Sequence, residues 1–197
     1  MKNSFLYFSV LLLLVFSFNS TAGEIEINSF KIKYDDNKKI TIFEGDVKSS
    51  DERGNKLFSE YAEYNKLEDI IETMGNTKMI SSGGYEVFGK NIIFDNKKGL
   101  IYSSEKTKIV DKDGNNVFVE MFNYSVSTNI FFSKGNIEVK DINNNDYNFS
   151  EIYIDEKKKK IIGSDVKSFL NNPSIAINSS NDPRFFANTM SLSEKTN

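Results

Sequence analysis

The 197-residue sequence contains no cysteine, no histidine and no tryptophan. These absences exclude disulfides and thiol nucleophiles, and they remove the commonest general base and the commonest transition-metal ligands. An enzyme would have to work through carboxylates alone, so we expect no enzyme, no metal site and no cofactor. Anchoring as a lipoprotein through an N-terminal cysteine is excluded too. A secreted domain of this kind must rely on its hydrophobic core.

The sequence also lacks a strong charge of either sign. Lysine and arginine number 25 against 28 acidic residues, a formal net charge of −3. The lysines are spread along the chain and form no basic stripe of the kind that binds nucleic acid. We therefore expect no nucleic-acid partner.

The first 22 residues have the pattern of a signal peptide. Lys2 supplies a basic start, an apolar run follows, and Ser20 to Ala22 is a small-residue cleavage signal. The apolar run is too short and wrongly flanked for a transmembrane span. We expect cleavage after Ala22 or Gly23, export to the periplasm, and one working domain over residues 23–197.

The remainder repeats itself at intervals of about thirty residues. The segments "LFSEYAEY" (57–64), "VFGKNIIF" (87–94) and "VFVEMFNY" (117–124) align without gaps. A partial copy, "SFKIKY" (29–34), precedes them. A later copy, "NFSEIYID" (148–155), aligns only if it is displaced by one residue.

The segment "IVDKDGNN" (109–116) has oxygen-bearing residues at alternate positions, which raises the question of a calcium loop. The neighbouring repeats carry the equivalent glycines, Gly54 and Gly84, but not this acidic pattern. An EF-hand would also need flanking helices and a glycine further along. Asp, Asn and Gly between alternating apolar segments are typical of hairpins, so the sequence predicts a hairpin loop.

Each repeat predicts two β-strands with apolar residues at every second position, and no segment after residue 22 has a helical stripe. We expect an all-β fold of about eleven to thirteen strands whose apolar faces meet, as two facing antiparallel sheets or an elongated roll. Gly45, Gly75 and Gly135 are expected on an inward face, where they would either leave room for a ligand or accommodate opposing phenylalanines. The predicted inward residues, which are the candidate groove lining, are Phe43, Phe58, Ile71, Met79, Phe88, Ile92, Phe94, Phe118, Phe122, Phe131 and Ile137.

The segments "FEGDVKSSDERGNKLFSEYAEYNKLEDII" and "FSKGNIEVKD", followed by "YNFSEIYID", resemble the OstA-like β-jelly-roll domain of the lipopolysaccharide transport proteins LptA, LptC and the N-terminal domain of LptD. The likeness covers residues 25–197. It implies an elongated jelly roll that binds the lipid A acyl chains of lipopolysaccharide between its sheets. It also implies edge strands that pair with other Lpt proteins.

The tail, residues 171–197, resembles the exit from the jelly roll in LptD proteins, where the chain continues into an outer-membrane barrel. No further strands of a barrel follow within the 197 residues. The resemblance favours the N-terminal part of an LptD-like protein, which would be associated with the outer membrane. A stand-alone LptA-like periplasmic carrier is the alternative.

Two hypotheses of other classes compete with lipid transport. One is a secreted structural β-repeat with a dry core. The other is a carboxylate-dependent glycosidase, because Glu60, Glu120 and Glu151 recur at equivalent positions of the aligned copies. Repetition argues against catalysis, since a glycosidase needs two carboxylates in one asymmetric cleft.

Overall fold

The computed structural model describes residues 25–52, 54–170 and 184–193, and every regular element in these ranges is a β-strand. The predicted signal peptide and most of the tail from residue 171 onward lie outside the described residues. No helix in the described ranges is long and apolar enough to cross a membrane.

Fifteen strands follow one another along the described chain, and the predicted all-β fold is confirmed. They are β1 Ile25–Asn28, β2 Lys31–Asp35, β3 Ile40–Asp51, β4 Lys56–Asn65, β5 Ile70–Ile80, β6 Glu86–Lys90, β7 Ile93–Asp95, β8 Leu100–Ser103, β9 Thr107–Val110, β10 Asn116–Val119, β11 Phe122–Ser125, β12 Ile130–Lys140, β13 Asp146–Asp155, β14 Lys160–Phe169 and β15 Arg184–Ser193. The count exceeds the expected eleven to thirteen because some predicted strands are interrupted, as between β6 and β7 and between β10 and β11.

The strands form one antiparallel hydrogen-bonded network that divides into two layers. Strand β5 pairs with β7 through residues 70–72 and with β6 through residues 76–80. Strand β12 likewise pairs with β11 through residues 130–132 and with β10 through residues 138–140. Each repeat has a four-residue turn at one end, such as residues 66–69, and a hairpin loop at the other, such as residues 81–85. We call the strand halves next to the four-residue turns the first layer and the halves next to the hairpin loops the second layer.

The two layers face each other across a shared hydrophobic core, as the predicted facing sheets require. Phe122 and Phe131 of the first layer are buried in one cluster with Val87 and Ile109 of the second layer. A smaller cluster near the N-terminal end of the roll contains the buried residues Phe43, Val47 and Ala62.

Positive φ angles recur every thirty residues and fix the period. The turns between first-layer strands each end on such a residue, at positions 39, 69, 99, 129 and 159. The hairpin loops have one at 54, 84, 114 and 144. The fourth loop therefore keeps the period, and the predicted one-residue displacement is wrong. Tyr147 pairs with Val139, which pairs with Val117, so Tyr147 is the counterpart of Val117.

The loop at residues 111–115 is a hairpin turn, as predicted. One carboxylate oxygen of Asp111 accepts hydrogen bonds from the backbone N–H groups of Asp113 and Asn115, both at 2.9 Å. The other accepts one from the Asn115 side-chain amide at 2.7 Å. The Asp111 oxygens are thus used inside the turn, in the manner of an Asx-turn.

The first-layer turns use the same chemistry. Asp95 is buried, and its carboxylate accepts hydrogen bonds from the Lys98 backbone N–H at 2.9 Å and from the Lys98 ammonium at 2.8 Å. These bonds hold the pKa of Asp95 below its ordinary value. Asp155 occupies the equivalent place two repeats later, where the bond from the Lys158 backbone N–H is the main cause of its lowered pKa.

Each long strand bends within its own length. Gly45, Gly75 and Gly135 have φ angles of 76°, 80° and 110°, and the pairing register shifts beside them. This is the geometry of a β-bulge that turns the strand from one layer into the other. The bend lets the hydrogen-bonded network continue in both layers.

The bend glycines face outward, so the expectation that they lie on the inward face is wrong. A Cβ added at Gly75 would lie 3.8 Å from Oε2 of Glu60, and one added at Gly135 would lie 2.6 Å from Oε2 of Glu120. Both glutamates are exposed. The glycines are needed for their backbone conformation and leave no room inside the roll.

Replacing Gly75 by alanine should lower the free energy of unfolding by about 1–2 kcal/mol, because an L side chain at this φ strains the backbone. Chemical denaturation of the purified protein measures the change. The matched control is Asn76→Ala at the exposed neighbouring position, which should change stability by less than about 0.5 kcal/mol. Equal effects of the two substitutions would show that the bend does not depend on positive φ.

Candidate functional site

The inner face of the first layer carries a continuous row of large side chains. Residues paired across antiparallel strands point to the same side of a sheet, so the pairing register defines the row. Its buried members, Ile71 and Phe131, show that the row faces the core. In spatial order across the layer the row consists of Tyr34, Thr41, Tyr64, Ile71, Phe94, Ile101, Tyr124, Phe131, Ile154, Ile161 and Leu192.

A matching row lies on the inner face of the second layer. Its buried members include Leu57, Val87 and Ile109. Across the layer it consists of Ser49, Leu57, Met79, Val87, Ile109, Val117, Val139, Tyr147, Ser168 and Phe185. The interior is therefore mostly apolar on both sides, which is the chemistry that an acyl chain requires.

The middle of the interior is filled by the protein itself. Ile92 and Ile137 have no exposed surface, and the rings of Phe122 and Phe131 stack with centroids 6.1 Å apart. No buried side-chain nitrogen or oxygen of the described residues lacks a hydrogen-bond partner. This part of the roll is a packed core.

Two tyrosines reinforce the packed middle. The Tyr124 hydroxyl donates a hydrogen bond to Oε2 of Glu156 at 3.2 Å. Burial, with the Glu156 carboxylate second, raises the pKa of Tyr124 to about 12. Tyr85, which precedes strand β6 of the second layer, has its pKa raised to about 12 by the same two causes. The Glu156 carboxylate thus lies close to a tyrosine from each layer.

A polar seam separates the packed middle from the N-terminal cluster. Thr77 donates a hydrogen bond to Oγ1 of Thr73 at 2.9 Å, and the Ser59 hydroxyl lies 3.3 Å from Oγ1 of Thr77. All three side chains are buried. The N-terminal end of the interior is consequently a compartment distinct from the main core.

In the part of the chain that the structure describes, both ends of the interior are exposed to solvent. On edge strand β2, Ile32 and Tyr34 are 58% and 56% exposed although they lie on the inner face. On edge strand β15, Phe185 and Leu192 are 58% and 53% exposed and lie on inner faces as well. Within the described residues, β2 pairs only with β3 and β15 pairs only with β14. At both edges, the apolar rows therefore end in side chains that are exposed to solvent.

The structure places eight of the eleven predicted groove residues on the inside. They are Phe43, Ile71, Met79, Ile92, Phe94, Phe122, Phe131 and Ile137, of which Met79 and Phe94 are partly buried and the others buried. Contact of any of these side chains with lipid stays a prediction.

Phe58, Phe88 and Phe118 do not face inward, so their predicted orientation is wrong. Leu57 and Ser59 on either side of Phe58 are buried, and Phe118 is 43% exposed. For Phe58 the cause is the break in alternation between Ser59 and Tyr61, which shifts the phase. After Phe88 and Phe118 the strand is interrupted, between β6 and β7 and between β10 and β11, and it resumes in the other phase. The three rings lie on the outer face of the second layer.

The three recurrent glutamates do not form one cleft. Glu60 and Glu120 lie outside the bends at Gly75 and Gly135. Glu151 belongs to a different register position, opposite Lys134, and is thus not their counterpart.

The exposed inner-face residues of β15 were missed by sequence reasoning. Their signal was the alternation in "RFFANTMSLS", but alternation does not show which strand lies at an edge.

No known protein family and no curated protein matches the chain. Among the solved structures that match is LptH, described as the LptA homologous periplasmic component of the conserved lipopolysaccharide transport device from Pseudomonas aeruginosa. The two chains are 13% identical, the match covers 83% of this chain and 94% of LptH, and the TM-score is 0.32. At this level the likeness carries no argument about function.

Substituting Phe122 by alanine should lower the free energy of unfolding by about 3–5 kcal/mol, because it leaves a cavity in the packed middle. Phe118→Ala should cost much less, since that ring is partly exposed on the outer face. Denaturant unfolding of both variants tests the assignment of inner and outer faces. Equal costs for the two variants would contradict it.

Proposed function

We propose that this protein is a periplasmic lipopolysaccharide-transport module that holds lipid A acyl chains between its two layers and passes lipopolysaccharide toward the outer membrane. The observation that carries the proposal is the uncovered apolar interior at both edges of the roll. The large side chains of the inner rows, Ile32 and Tyr34 at one edge and Phe185 and Leu192 at the other, stand in solvent.

Exposing the apolar side chains of the inner rows to water is unfavourable in free energy, and a bound lipid would cover them. Burying apolar surface is favourable by about 25 cal/mol per Å². Acyl chains entering at the edges would cover these side chains, while the sugars of the same molecule would stay in water. Binding of this kind needs no chemical step.

The identity of the lipid rests on the resemblance of residues 25–197 to the OstA-like domains, together with the expected export of the chain. The resemblance of the tail supports the N-terminal part of an LptD-like protein. A stand-alone LptA-like carrier would use the same interior and differs only in its partners.

The edge strands supply the means of meeting those partners. An exposed strand edge presents unpaired N–H and C=O groups to which another strand can add. Strands β2 and β15 lie at opposite edges of the described roll. Pairing there with other Lpt proteins would extend the apolar interior from one protein to the next.

The second candidate is a structural repeat with a dry core, and the packed middle of the interior favours it. Under this alternative the edges would be covered by protein alone. The two candidates differ in one observable, which is contact between the inner rows and lipid at the edges.

Site-specific photocrosslinking tests the proposal. A photoreactive phenylalanine analogue is placed at Ile32 or Leu192 of the full chain, expressed in Gram-negative cells, and adducts are detected with antibody to lipopolysaccharide. The matched controls are the adjacent positions Lys33 and Ser191, which point to the outer side. We expect adducts at the two inner positions and none at the controls.

Crosslinks to protein alone at Ile32 and Leu192, with none to lipopolysaccharide, would contradict lipid binding and support the structural repeat. Adducts at inner and control positions alike would indicate nonspecific association with membrane. Crosslinks to other Lpt proteins from the control positions would additionally support edge pairing.

A further inference from the structure

The outer face of the second layer carries an alternation of lysine and phenylalanine that neither the core nor the proposed lipid transport uses. The pairing register aligns one residue from each of six adjacent strands, β3, β4, β5, β6, β9 and β10. In order they are Lys48, Phe58, Lys78, Phe88, Lys108 and Phe118. We call these six residues the outer row.

Contacts between neighbours hold the outer row in place. The Lys78 ammonium lies 5.0 Å from the centroid of the Phe88 ring, and the Lys108 ammonium lies 5.8 Å from that of Phe118. These are cation–π distances. Phe118 is 43% exposed, and Phe58 and Phe88 are partly exposed. Three partly exposed rings are thus aligned on one solvent face, with lysine side chains between them.

A groove of about 880 Å³ lies between Phe58 and Phe88. Side chains of both charges line it beside the rings, together with the Asn76 amide. Three carboxylates balance three ammonium groups here: Asp46, Glu60, Glu105, Lys78, Lys90 and Lys106.

A second groove of about 380 Å³ lies between Phe88 and Phe118 and has the same character. Its lysines, Lys106 and Lys108, are matched by Glu120 and Glu138. Neither groove has a net charge, so neither favours a polyanion or an anionic lipid surface. Aromatic faces among many hydrogen-bond donors and acceptors suit a sugar, whose C–H face packs on a ring while its hydroxyls bond to the polar groups.

The spacing of the rings favours a polymer. The three phenylalanines occupy every second strand, and adjacent strands lie about 4.8 Å apart, so successive rings are roughly 10 Å apart. An extended β-linked polysaccharide repeats its orientation every two sugars over a comparable length. One chain lying across the strands could therefore place an equivalent sugar face on each ring.

We propose that the outer row binds an extended, uncharged β-linked polysaccharide whose chain crosses the strands of the second layer. Phe88 lines both grooves, whereas Phe58 and Phe118 line one each. Phe88 is thus the central contact. This site lies on the opposite side of the sheet from the proposed lipid-binding interior. The failure of one proposal therefore does not affect the other.

Calorimetric titration of the purified protein with β-1,4-linked N-acetylglucosamine hexamer and dimer tests the proposal. We expect the hexamer to bind at least about tenfold more tightly than the dimer, since only the hexamer spans two grooves. Phe88→Ala should weaken hexamer binding by at least about threefold. Phe58→Ala and Phe118→Ala should each weaken it by less than Phe88→Ala does. Phe132→Ala, which removes a partly exposed ring on the outer face of the first layer, should leave it unchanged.

Circular dichroism confirms that each variant is folded before binding is compared. Three results would each overturn the proposal: no hexamer binding at millimolar concentration, equal affinity for hexamer and dimer, or a hexamer affinity that Phe88→Ala leaves unchanged. A parallel titration with phosphatidylglycerol vesicles separates the alternative occupant. Vesicle binding that depends on Phe88, without hexamer binding, would assign the row to a lipid surface instead.

Discussion

The bend inside each long strand is the constraint on which the rest of this structure depends. A positive φ recurs at the same point of four repeats, at Gly45, Gly75, Gly135 and Asp165, whereas the repeat between Gly75 and Gly135 is interrupted between β8 and β9. Because neighbouring strands bend together, their hydrogen bonds continue on both sides of the bend, and one network becomes two facing layers. The core, the uncovered edges and the outer row all follow from this division. Glycine dominates the position because an L side chain is strained there.

The sequence predicts the repeat, the hairpins and the all-β fold because these depend on local chemistry. Turn residues and alternating apolar positions are visible in any single copy. The phase of Phe58, Phe88 and Phe118 could not be predicted in the same way. The expected alternation assumes an uninterrupted strand. The chain instead has a register shift after Phe58 and a break between strands after Phe88 and after Phe118. Aligning the copies by residue type alone likewise made Glu151 equivalent to Glu60, which the strand register contradicts.

The candidate site was predictable in its middle and unpredictable at its ends. Residues such as Ile71 and Phe131 follow from the hydrophobic pattern, and the structure buries them. Whether a row stays covered depends on which strands lie at the edges of the network, and this is a property of the whole fold. Leu192 therefore has the same sequence signal as Ile161, its paired neighbour, yet only Leu192 stands in solvent.

A roll built from repeats normally needs polar terminal units, because each repeat buries its apolar face only against its neighbours. Neither edge of the described roll meets that requirement, since Tyr34 at one edge and Phe185 at the other are more than half exposed on inner faces. The polar seam at Thr73 and Thr77 separates the N-terminal cluster from the packed middle around Ile137. Covering the edge side chains, by the lipid or the partner strands proposed above, would remove the cost of their exposure to water. The packed middle offers no comparable exposed apolar surface, because Ile137 and its neighbours are already buried by the protein itself.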